Sequence, residues 1–173
     1  MYEKTYPSKR FKLTLQFLKK HVSTEQTILD LGVNNPLSDL MRDEGYNVTN
    51  TLGEDLDENK TALINSKAEV TTAFEIMEHL LSPYEVLKSI NSNVLVLSVP
   101  LRLWFSKAYK SKTDSRDKHF HEFEEWQLDW LLEKSGWHII DRFKFTNPPK
   151  KIGLRPLLRL ITPRYYLVYA TRR

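Results

Sequence analysis

The amino-acid sequence predicts an α/β protein whose sheet is mostly parallel. Short apolar runs rich in β-branched residues alternate with segments of helical periodicity, which is the pattern of strand–helix–strand units. The chain has 173 residues, of which 40% are hydrophobic and 28% charged, as expected of one globular domain rather than a disordered chain. No apolar run approaches the roughly 20 residues that cross a bilayer.

Six segments have the composition of strands. They are 27–31, 46–51, 70–74, 93–99, 137–146 and 165–170. The segment 93–99 is the most apolar, so we expect it to be central in the sheet. No long helical pattern separates the last two strands, which we therefore predict to pair antiparallel at one edge.

Four segments have the periodicity or the end signals of helices. They are 8–21, 36–45, 83–91 and 124–135. The first belongs to an N-terminal helical segment, residues 1–24, and its apolar residues Phe11, Leu15 and Leu18 recur at helical spacing. This spacing predicts that one face of the helix packs on the sheet.

The start of the third helix has a specific signature. Ser82 is a residue that caps helices, Pro83 suits the first turn, and Glu85 is placed to complete a capping box. Residues 60–68 are ambiguous between helix and strand. Residues 106–118 are predicted to form a polar loop.

Composition excludes several classes of protein. The chain has no cysteine, which excludes a disulfide scaffold, a thiolate metal site and a cysteine nucleophile. The N-terminus lacks the unbroken apolar core of a signal peptide. We therefore expect a cytoplasmic protein, with residues 1–173 forming a single domain; the sequence does not indicate its oligomeric state.

Positive charge is concentrated at one end of the chain. Residues 1–142 hold 18 Lys and Arg and all 22 Asp and Glu, whereas residues 143–173 hold 8 Lys and Arg and no acid. Within this region, residues 148–164 form a basic amphipathic insertion before the last strand. Its charged residues are Lys150, Lys151, Arg155, Arg159 and Arg164. It could cover an active site, bind phosphate or lie on anionic lipid, or it could be an ordinary packed helix.

A candidate ligand-binding loop follows the first strand. Asp30 and Gly32 stand where a strand turns into a helix, and glycine there lets the backbone approach a ligand. Asn34 and Asn35 tolerate left-handed backbone better than most residues and could replace further glycines. Such turns are also common in α/β proteins that bind no nucleotide.

A second candidate site follows the third strand. Glu75, Glu78 and His79 are spaced so that they share one face of a helical turn. Two carboxylates and an imidazole suit a divalent metal or general acid–base catalysis. The alternative is a polar helix start, where a carboxylate complements the helix dipole.

Two histidines form a third candidate. His119 and His121 alternate in the segment His119–Phe123, so on a strand they would point the same way. Either could act as a base near neutral pH. A loop with solvated histidines and two packed aromatic side chains is the alternative.

Taken in order, these segments resemble the class I S-adenosylmethionine-dependent methyltransferases, in particular small bacterial methyltransferase-domain proteins. The resemblance spans about residues 25–140. It rests on the segments ILDLG, AFEIMEHLLSP, NVLVLSVP and HFHEFEEWQLDWLLEKSGW. It implies a Rossmann-like sheet of seven strands with an antiparallel C-terminal hairpin, and helices on both faces.

The resemblance also implies cofactor-binding residues. Asp30, Gly32 and Asn34 match the loop that holds the methionine part of S-adenosylmethionine. Glu54 or Asp55, with Asp57 as a further possibility, matches the acid that binds the ribose. Phe74 and Glu75 match residues beside the methionine end of the cofactor. Glu75, Glu78 and His79 match an E-x-x-E-H signature that binds metal in two branches of the family, which methylate quinone precursors and the 3′ ends of small RNAs.

The sequence departs from the family pattern in the loop. The family has Asp-x-Gly-x-Gly-x-Gly, and here Asn34 and Pro36 replace the later glycines. The predicted function is methyl transfer to a small-molecule or lipid- or glycan-linked acceptor, with Glu78, His79 and His121 as candidate catalytic residues and no metal; the basic C-terminal segment favours an anionic acceptor. The alternatives are a non-catalytic methyltransferase-like binding module and, less favoured, an RNA methyltransferase.

Overall fold

A computed structural model describes residues 8–114, 117–146 and 153–172. The strands are β1 (Thr27–Asp30), β2 (Asn47–Asn50), β3 (Val70–Phe74), β4 (Val94–Pro100), β5 (Trp137–Phe145) and β6 (Tyr165–Arg172). The helices are α1 (Ser8–His21), α2 (Pro36–Asp43), α3 (Thr61–Ile64), α4 (Pro83–Ser89), α5 (Glu125–Lys134) and α6 (Leu154–Ile161), and Met77–His79 forms a 3-10 turn. All six predicted strands are confirmed.

The strands form one mixed sheet in the order β2-β1-β3-β4-β6-β5. The first four are parallel, and β6 pairs antiparallel with both β4 and β5, as predicted for the last two strands. The expectation of seven strands is wrong for the part of the chain that the structure describes. Residues 60–68, where a further strand could lie, form α3 and a polar connection, and β2 is left at the edge.

Helices cover both faces of the sheet, as predicted. On one face, α1 and α2 bury apolar side chains such as Phe11, Leu18 and Met41 against Ile28 and Val96. On the other face, α3, α4 and α5 contribute an equivalent set, which consists of Leu63, Val86, Leu87, Leu128 and Leu132. The strands alternate between the two clusters because successive side chains point to opposite faces.

Two helix starts differ from the sequence prediction. Ser82 precedes α4, but its side chain makes no capping bond, so the predicted capping box with Glu85 is wrong. The carboxylate of Asp57 instead accepts hydrogen bonds from the backbone N–H groups of Leu81 and Ser82, each at 2.8 Å. A true capping box occurs at α5, between Glu124 and Gln127.

The carboxyl ends of β1, β2, β3 and β4 share one edge of the sheet, as in all parallel arrangements. The first residue of β6, Tyr165, pairs with Pro100 at the end of β4. Helix α6, which precedes β6, therefore lies at the same edge. In open α/β sheets this edge is where ligands bind.

Candidate functional site

A cavity of about 200 Å³ opens at the carboxyl edge between β1, β3 and the N-terminal helix. Four predicted cofactor-binding residues line it: Asp30, Gly32, Phe74 and Glu75. Asn35 of the same predicted loop also lines it, as do Arg10, Thr14 and Ser98, which the sequence analysis did not identify. The fold thus brings the loop after β1 together with the loop after β3, as the resemblance implied.

Hydrogen bonds from three other side chains hold the carboxylate of Asp30 in place. Its carboxylate accepts hydrogen bonds from Thr72 Oγ1 at 2.6 Å, Ser38 Oγ at 2.8 Å and Asn50 Nδ2 at 3.0 Å. The side chain is 2% exposed, and burial raises its pKa in spite of these donors. Because both oxygens are occupied, Asp30 ties the ends of three strands and α2 together, and this bonding orients the loop that follows it.

Gly32 has the positive φ that its position requires. Its φ is +102°, and a Cβ there would meet Ile76 Cδ1 at 3.4 Å. Its N–H donates to Thr51 Oγ1 at 2.7 Å, and its carbonyl accepts from Asn50 Nδ2 at 3.2 Å. Glycine is needed here because a side chain would be strained and would narrow the cavity.

The two asparagines of the loop have different positions. Asn34 bonds outward, to Asp39 and Arg42 on α2, and does not line the cavity. Asn35 lines the cavity and caps α2, because its side-chain oxygen accepts from the N–H groups of Leu37 at 2.9 Å and Ser38 at 3.2 Å. This capping role is typical of asparagine before a helix with proline at its first position.

Glu75 and Arg10 form an ion pair in the lining of the cavity. Glu75 Oε2 lies 3.3 Å from Arg10 Nη1, and its Oε1 accepts from Ser98 Oγ at 2.8 Å. Both charged side chains are 16% exposed. Glu75 is also the only non-glycine residue with positive φ, +58°, in the described part of the chain. Such backbone is costly for glutamate and is found where a side chain must be aimed at a site.

The acidic residues after β2 lie apart from this cavity. Glu54 accepts from the N–H of Leu52 at 2.8 Å and lines a separate open groove of about 500 Å³ beside β2 and α3. Asp55 accepts from the N–H of Asp57 at 3.0 Å within the same turn. Neither residue lines the cavity that contains Gly32 and Glu75, so their role in binding ribose stays a prediction.

Glu78 is buried without full hydrogen bonding. The residue is 1% exposed, and its Oε2 atom has no hydrogen-bond partner among the described residues. Burial, followed by the charge of Glu75, raises the pKa of Glu78 well above its usual value. The expected shared helical face of Glu75, Glu78 and His79 is wrong, because only Met77–His79 forms a turn, a 3-10 helix, and Glu75 precedes it in left-handed backbone.

Two histidines face Glu78. His79 Nε2 lies 3.8 Å from Glu78 Oε1, and the His79 and His119 rings are 5.0 Å apart at 88°. His79 donates from Nδ1 to the Lys118 carbonyl at 2.9 Å. His119 donates from Nδ1 to Glu122 Oε1 at 2.9 Å. In the neutral rings these bonds leave each Nε2 with an available lone pair.

This cluster of Glu78, His79 and His119 could hold a metal ion. One ligand atom from each residue lies within 4.8 Å of the others. Burial lowers the pKa of His119, which favours the neutral ring that binds metals. His119 belongs to the HFHEF segment, and the sequence pattern alone does not distinguish it from His121.

His121 has a different position from His119. The two residues do not lie on a strand as the alternation would require, and the His121 ring lies against Phe123 with its Nε2 at 3.4 Å from the Leu81 carbonyl oxygen. Together with Trp126 and Trp130, it lines an aromatic groove of about 490 Å³ on the surface. A catalytic role for His121 is therefore still only a prediction.

Basic side chains surround the cavity and the cluster. Arg10 lies over the Tyr165 ring, 5.4 Å from its centre. Arg159 and Arg164 also act electrostatically on Tyr165, and Arg164 lies 3.6 Å from Glu122. The predicted basic insertion thus contributes positive charge to the site, although residues 147–152 lie outside the described part of the chain.

The comparisons with known proteins define the class of fold. The chain is similar to many solved S-adenosylmethionine-dependent methyltransferases, and its architecture is theirs, with a Rossmann-like mixed sheet. One similar chain comes from the Haloferax volcanii complex that contains the Trm112 methyltransferase activator; the TM-score is 0.68 at 12% identity, covering 95% of this chain and 91% of that chain.

Two further structures indicate how far this similarity extends. The Burkholderia thailandensis 1,6-didemethyltoxoflavin-N1-methyltransferase, solved with S-adenosylhomocysteine, has a TM-score of 0.59 at 14% identity, covering 94% of this chain and 77% of that chain. The [4+2]-cyclase SpnF has a TM-score of 0.59 at 11% identity, covering 94% and 80%. No family model and no curated protein matches the sequence. The likeness therefore establishes the fold, and the activity must be argued from the site.

Proposed function

We propose that the protein transfers a methyl group from S-adenosylmethionine to a small-molecule or lipid- or glycan-linked acceptor that carries negative charge. The observation that supports this most directly is the cavity at the carboxyl edge, where Arg10 and Glu75 face each other beside Gly32. It lies where ligands bind in open α/β sheets, and similar proteins of this fold include methyltransferases.

The cavity fits the amino-acid end of the cofactor. That end carries a carboxylate and an ammonium group, and the cavity offers a guanidinium from Arg10 and a carboxylate from Glu75. Arg10 would bind the cofactor carboxylate and Glu75 the ammonium, in place of the ion pair that they make with each other. About 200 Å³ is less than the roughly 300 Å³ or more of most ligand pockets, so the nucleoside end would extend over the open edge of the sheet.

The cofactor supplies an activated methyl group on a sulfonium, so the protein has to align the acceptor and exclude water. Arg159 and Arg164 act electrostatically on Tyr165, the ring over which Arg10 lies, and would attract an anionic acceptor to this edge of the sheet. His79, with its Nδ1 bonded to the Lys118 carbonyl, presents Nε2 as a base for an acceptor hydroxyl.

Calorimetric titration with S-adenosylhomocysteine tests the cofactor site. We expect Arg10→Ala and Glu75→Gln each to weaken binding by about tenfold, because each removes one charged hydrogen bond to the ligand. Lys9→Ala is the matched control, since Lys9 is an exposed cation on the same helix. Absence of binding to folded wild-type protein would favour the non-catalytic alternative.

A second role is favoured for the cluster of Glu78, His79 and His119. The three residues fit a divalent metal of the kind bound by two imidazoles and one carboxylate, such as Mn²⁺ or Zn²⁺. Two features support this role: the partnerless Glu78 oxygen and the Nδ1 bonds that hold each ring. Such bonds commonly orient metal-binding histidines. A bound metal would lower the pKa of an acceptor hydroxyl and position it.

Titration of the protein with Zn²⁺ or Mn²⁺ distinguishes the two roles of the cluster. We expect one equivalent of metal to bind and His119→Ala to weaken the affinity by about tenfold or more. His138→Ala, which removes an exposed histidine on β5, should leave the affinity unchanged. If wild-type protein and His119→Ala bind metal equally, the metal role is wrong and only the acid–base role is left.

A further inference from the structure

Helix α6 exposes an apolar stripe that nothing in the described structure covers. Leu154, Leu157, Leu160 and Ile161 are 73%, 60%, 55% and 80% exposed. Three of them, Leu154, Leu157 and Ile161, follow the spacing i, i+3, i+7 and lie on one face of the helix. Isolated apolar residues on a surface are common, but a contiguous stripe on one helix indicates a binding surface.

A second exposed segment lies beside this helix. The N–H of Leu101 donates to the Arg164 carbonyl at 2.6 Å, and the Arg164 guanidinium donates back to the Leu101 carbonyl. These bonds join the first residue of the segment 101–112 to Arg164, which follows α6 in the chain. In that segment Trp104 is 72% exposed and Tyr109 is 42% exposed, and such side chains are typical of membrane–water interfaces.

Both segments are basic and contain no acid. Residues 101–112 include four cations, Arg102, Lys107, Lys110 and Lys112, and residues 154–164 include Arg155, Arg159 and Arg164. Two of these arginines also have acidic partners in the fold, Arg102 with Glu124 and Arg164 with Glu122. The three lysines of 101–112 are exposed. Aliphatic, aromatic and cationic side chains are thus combined at one edge.

We propose that α6 and the segment 101–112 together dock on an anionic lipid bilayer. The leucine and isoleucine side chains would enter the boundary between headgroups and acyl chains, and the exposed Lys107, Lys110 and Lys112 would contact lipid phosphates. The phosphates of an RNA partner would also pair with the cations, but RNA offers no apolar environment in which the exposed leucine and isoleucine side chains could be buried. The docked orientation places the carboxyl edge of the sheet, with Gly32 and Glu75, toward the membrane surface, from which a lipid-linked acceptor could enter.

Vesicle co-sedimentation tests this inference and needs no cofactor, so its result is independent of methyl transfer. We expect wild-type protein to bind vesicles of phosphatidylcholine with about 30% phosphatidylglycerol and to bind pure phosphatidylcholine at least about tenfold more weakly. Raising NaCl from about 0.05 M to about 0.5 M should weaken binding, since exposed charges are screened.

The variant Leu157→Glu/Ile161→Glu separates the apolar stripe from the charge. We expect it to bind anionic vesicles about tenfold or more weakly while retaining the wild-type melting temperature, since both side chains are exposed. The matched control Ile64→Glu/Ile140→Glu adds the same charge at side chains that are 56% and 52% exposed and should retain binding. An equal loss in the control, equal binding to neutral vesicles, or no vesicle binding at all overturns the proposal. The proposal is also overturned if the protein binds single-stranded RNA more tightly than vesicles and the Leu157→Glu/Ile161→Glu variant binds that RNA as tightly as wild type.

Discussion

Two buried carboxylates at the same edge of the sheet have opposite surroundings. Asp30 is 2% exposed and Glu78 is 1% exposed, and burial raises the pKa of both. Asp30 accepts three side-chain hydrogen bonds. Glu78 has an oxygen with no partner among the described residues, next to two imidazole rings.

The difference distinguishes a carboxylate that stabilises the fold from one that is available to a proton or a ligand. A buried carboxylate whose oxygens are occupied stabilises the fold, because breaking its bonds would leave several buried donors without acceptors. A buried carboxylate with an available oxygen makes the fold less stable, and such groups persist where a proton or a ligand uses them. The contrast assigns Asp30 to the framework of the site and supports the proposed chemical role of Glu78.

The largest expected effect is at Asp30. Asp30→Ala should lower the free energy of unfolding by about 3 kcal/mol, because it leaves Ser38, Thr72 and Asn50 without their acceptor in a buried setting. Glu78→Ala is the matched variant, since no side chain in the described part of the chain donates a hydrogen bond to the carboxylate that it removes, and it should cost about 2 kcal/mol less. Urea unfolding of both variants measures the difference. Equal losses would contradict the distinction between the two carboxylates.

The pH dependence of stability tests whether the pKa of Glu78 is raised in the folded protein. Its pKa is higher in the folded than in the unfolded state, so the stability that it contributes is complete below its unfolded value and is lost as the pH rises through the folded value. Glu78→Gln is neutral at all pH values, so the melting temperature of the variant should match wild type near pH 4 and exceed it by a few degrees near pH 9. Thermal melts across this range provide the measurement. A difference that does not change with pH would contradict a raised pKa.

The framework of the fold could be predicted from the sequence because its signals are local. Val70–Phe74 and Ser8–His21 have the bounds that their apolar patterns predicted. The number of strands could not be predicted in the same way. The seventh strand was implied by resemblance, and the polar residues Asn65, Ser66 and Lys67 do not favour a strand at that place.

The residues of the cavity were predicted where they end a strand or directly follow one. Asp30, Gly32, Phe74 and Glu75 come together because the ends of parallel strands share an edge. Arg10 reaches the cavity from a helix more than 60 residues away from Glu75, and periodicity marks only the apolar face of that helix. Whether His119 or His121 joins the cluster with Glu78 depends on the path of an irregular loop. The alternation of side chains along a strand does not predict that path.

Substitutions at two glycines test whether Gly32 is required for ligand binding in the cavity or only for its own backbone conformation. Gly32→Ala and Gly45→Ala both place a side chain at positive φ, +102° and +91°, and each should cost about 1 kcal/mol in unfolding free energy. Gly32 lines the cavity, whereas Gly45 ends α2, where a Cβ meets only Thr24 at 3.8 Å. Titration with S-adenosylhomocysteine should therefore show weaker binding for Gly32→Ala and wild-type affinity for Gly45→Ala. Wild-type affinity in both variants would place the cofactor elsewhere.

The smallest expected effect is at Asp141, a carboxylate at the surface with its pKa shifted in the opposite direction. A hydrogen bond from Lys20 is the main cause that lowers its pKa to about 2, and His21 Nε2 lies 2.8 Å from the same oxygen. A lowered pKa contributes stability above the unfolded value, near 4, which is lost as the pH falls toward 2. Because the Lys20 ion pair is exposed to solvent, Asp141→Asn should cost only about 0.5 kcal/mol at pH 7, and this cost should disappear near pH 2. Paired thermal melts at the two pH values test this, and a cost that persists unchanged at pH 2 would mean that packing, rather than charge, holds Asp141 in place.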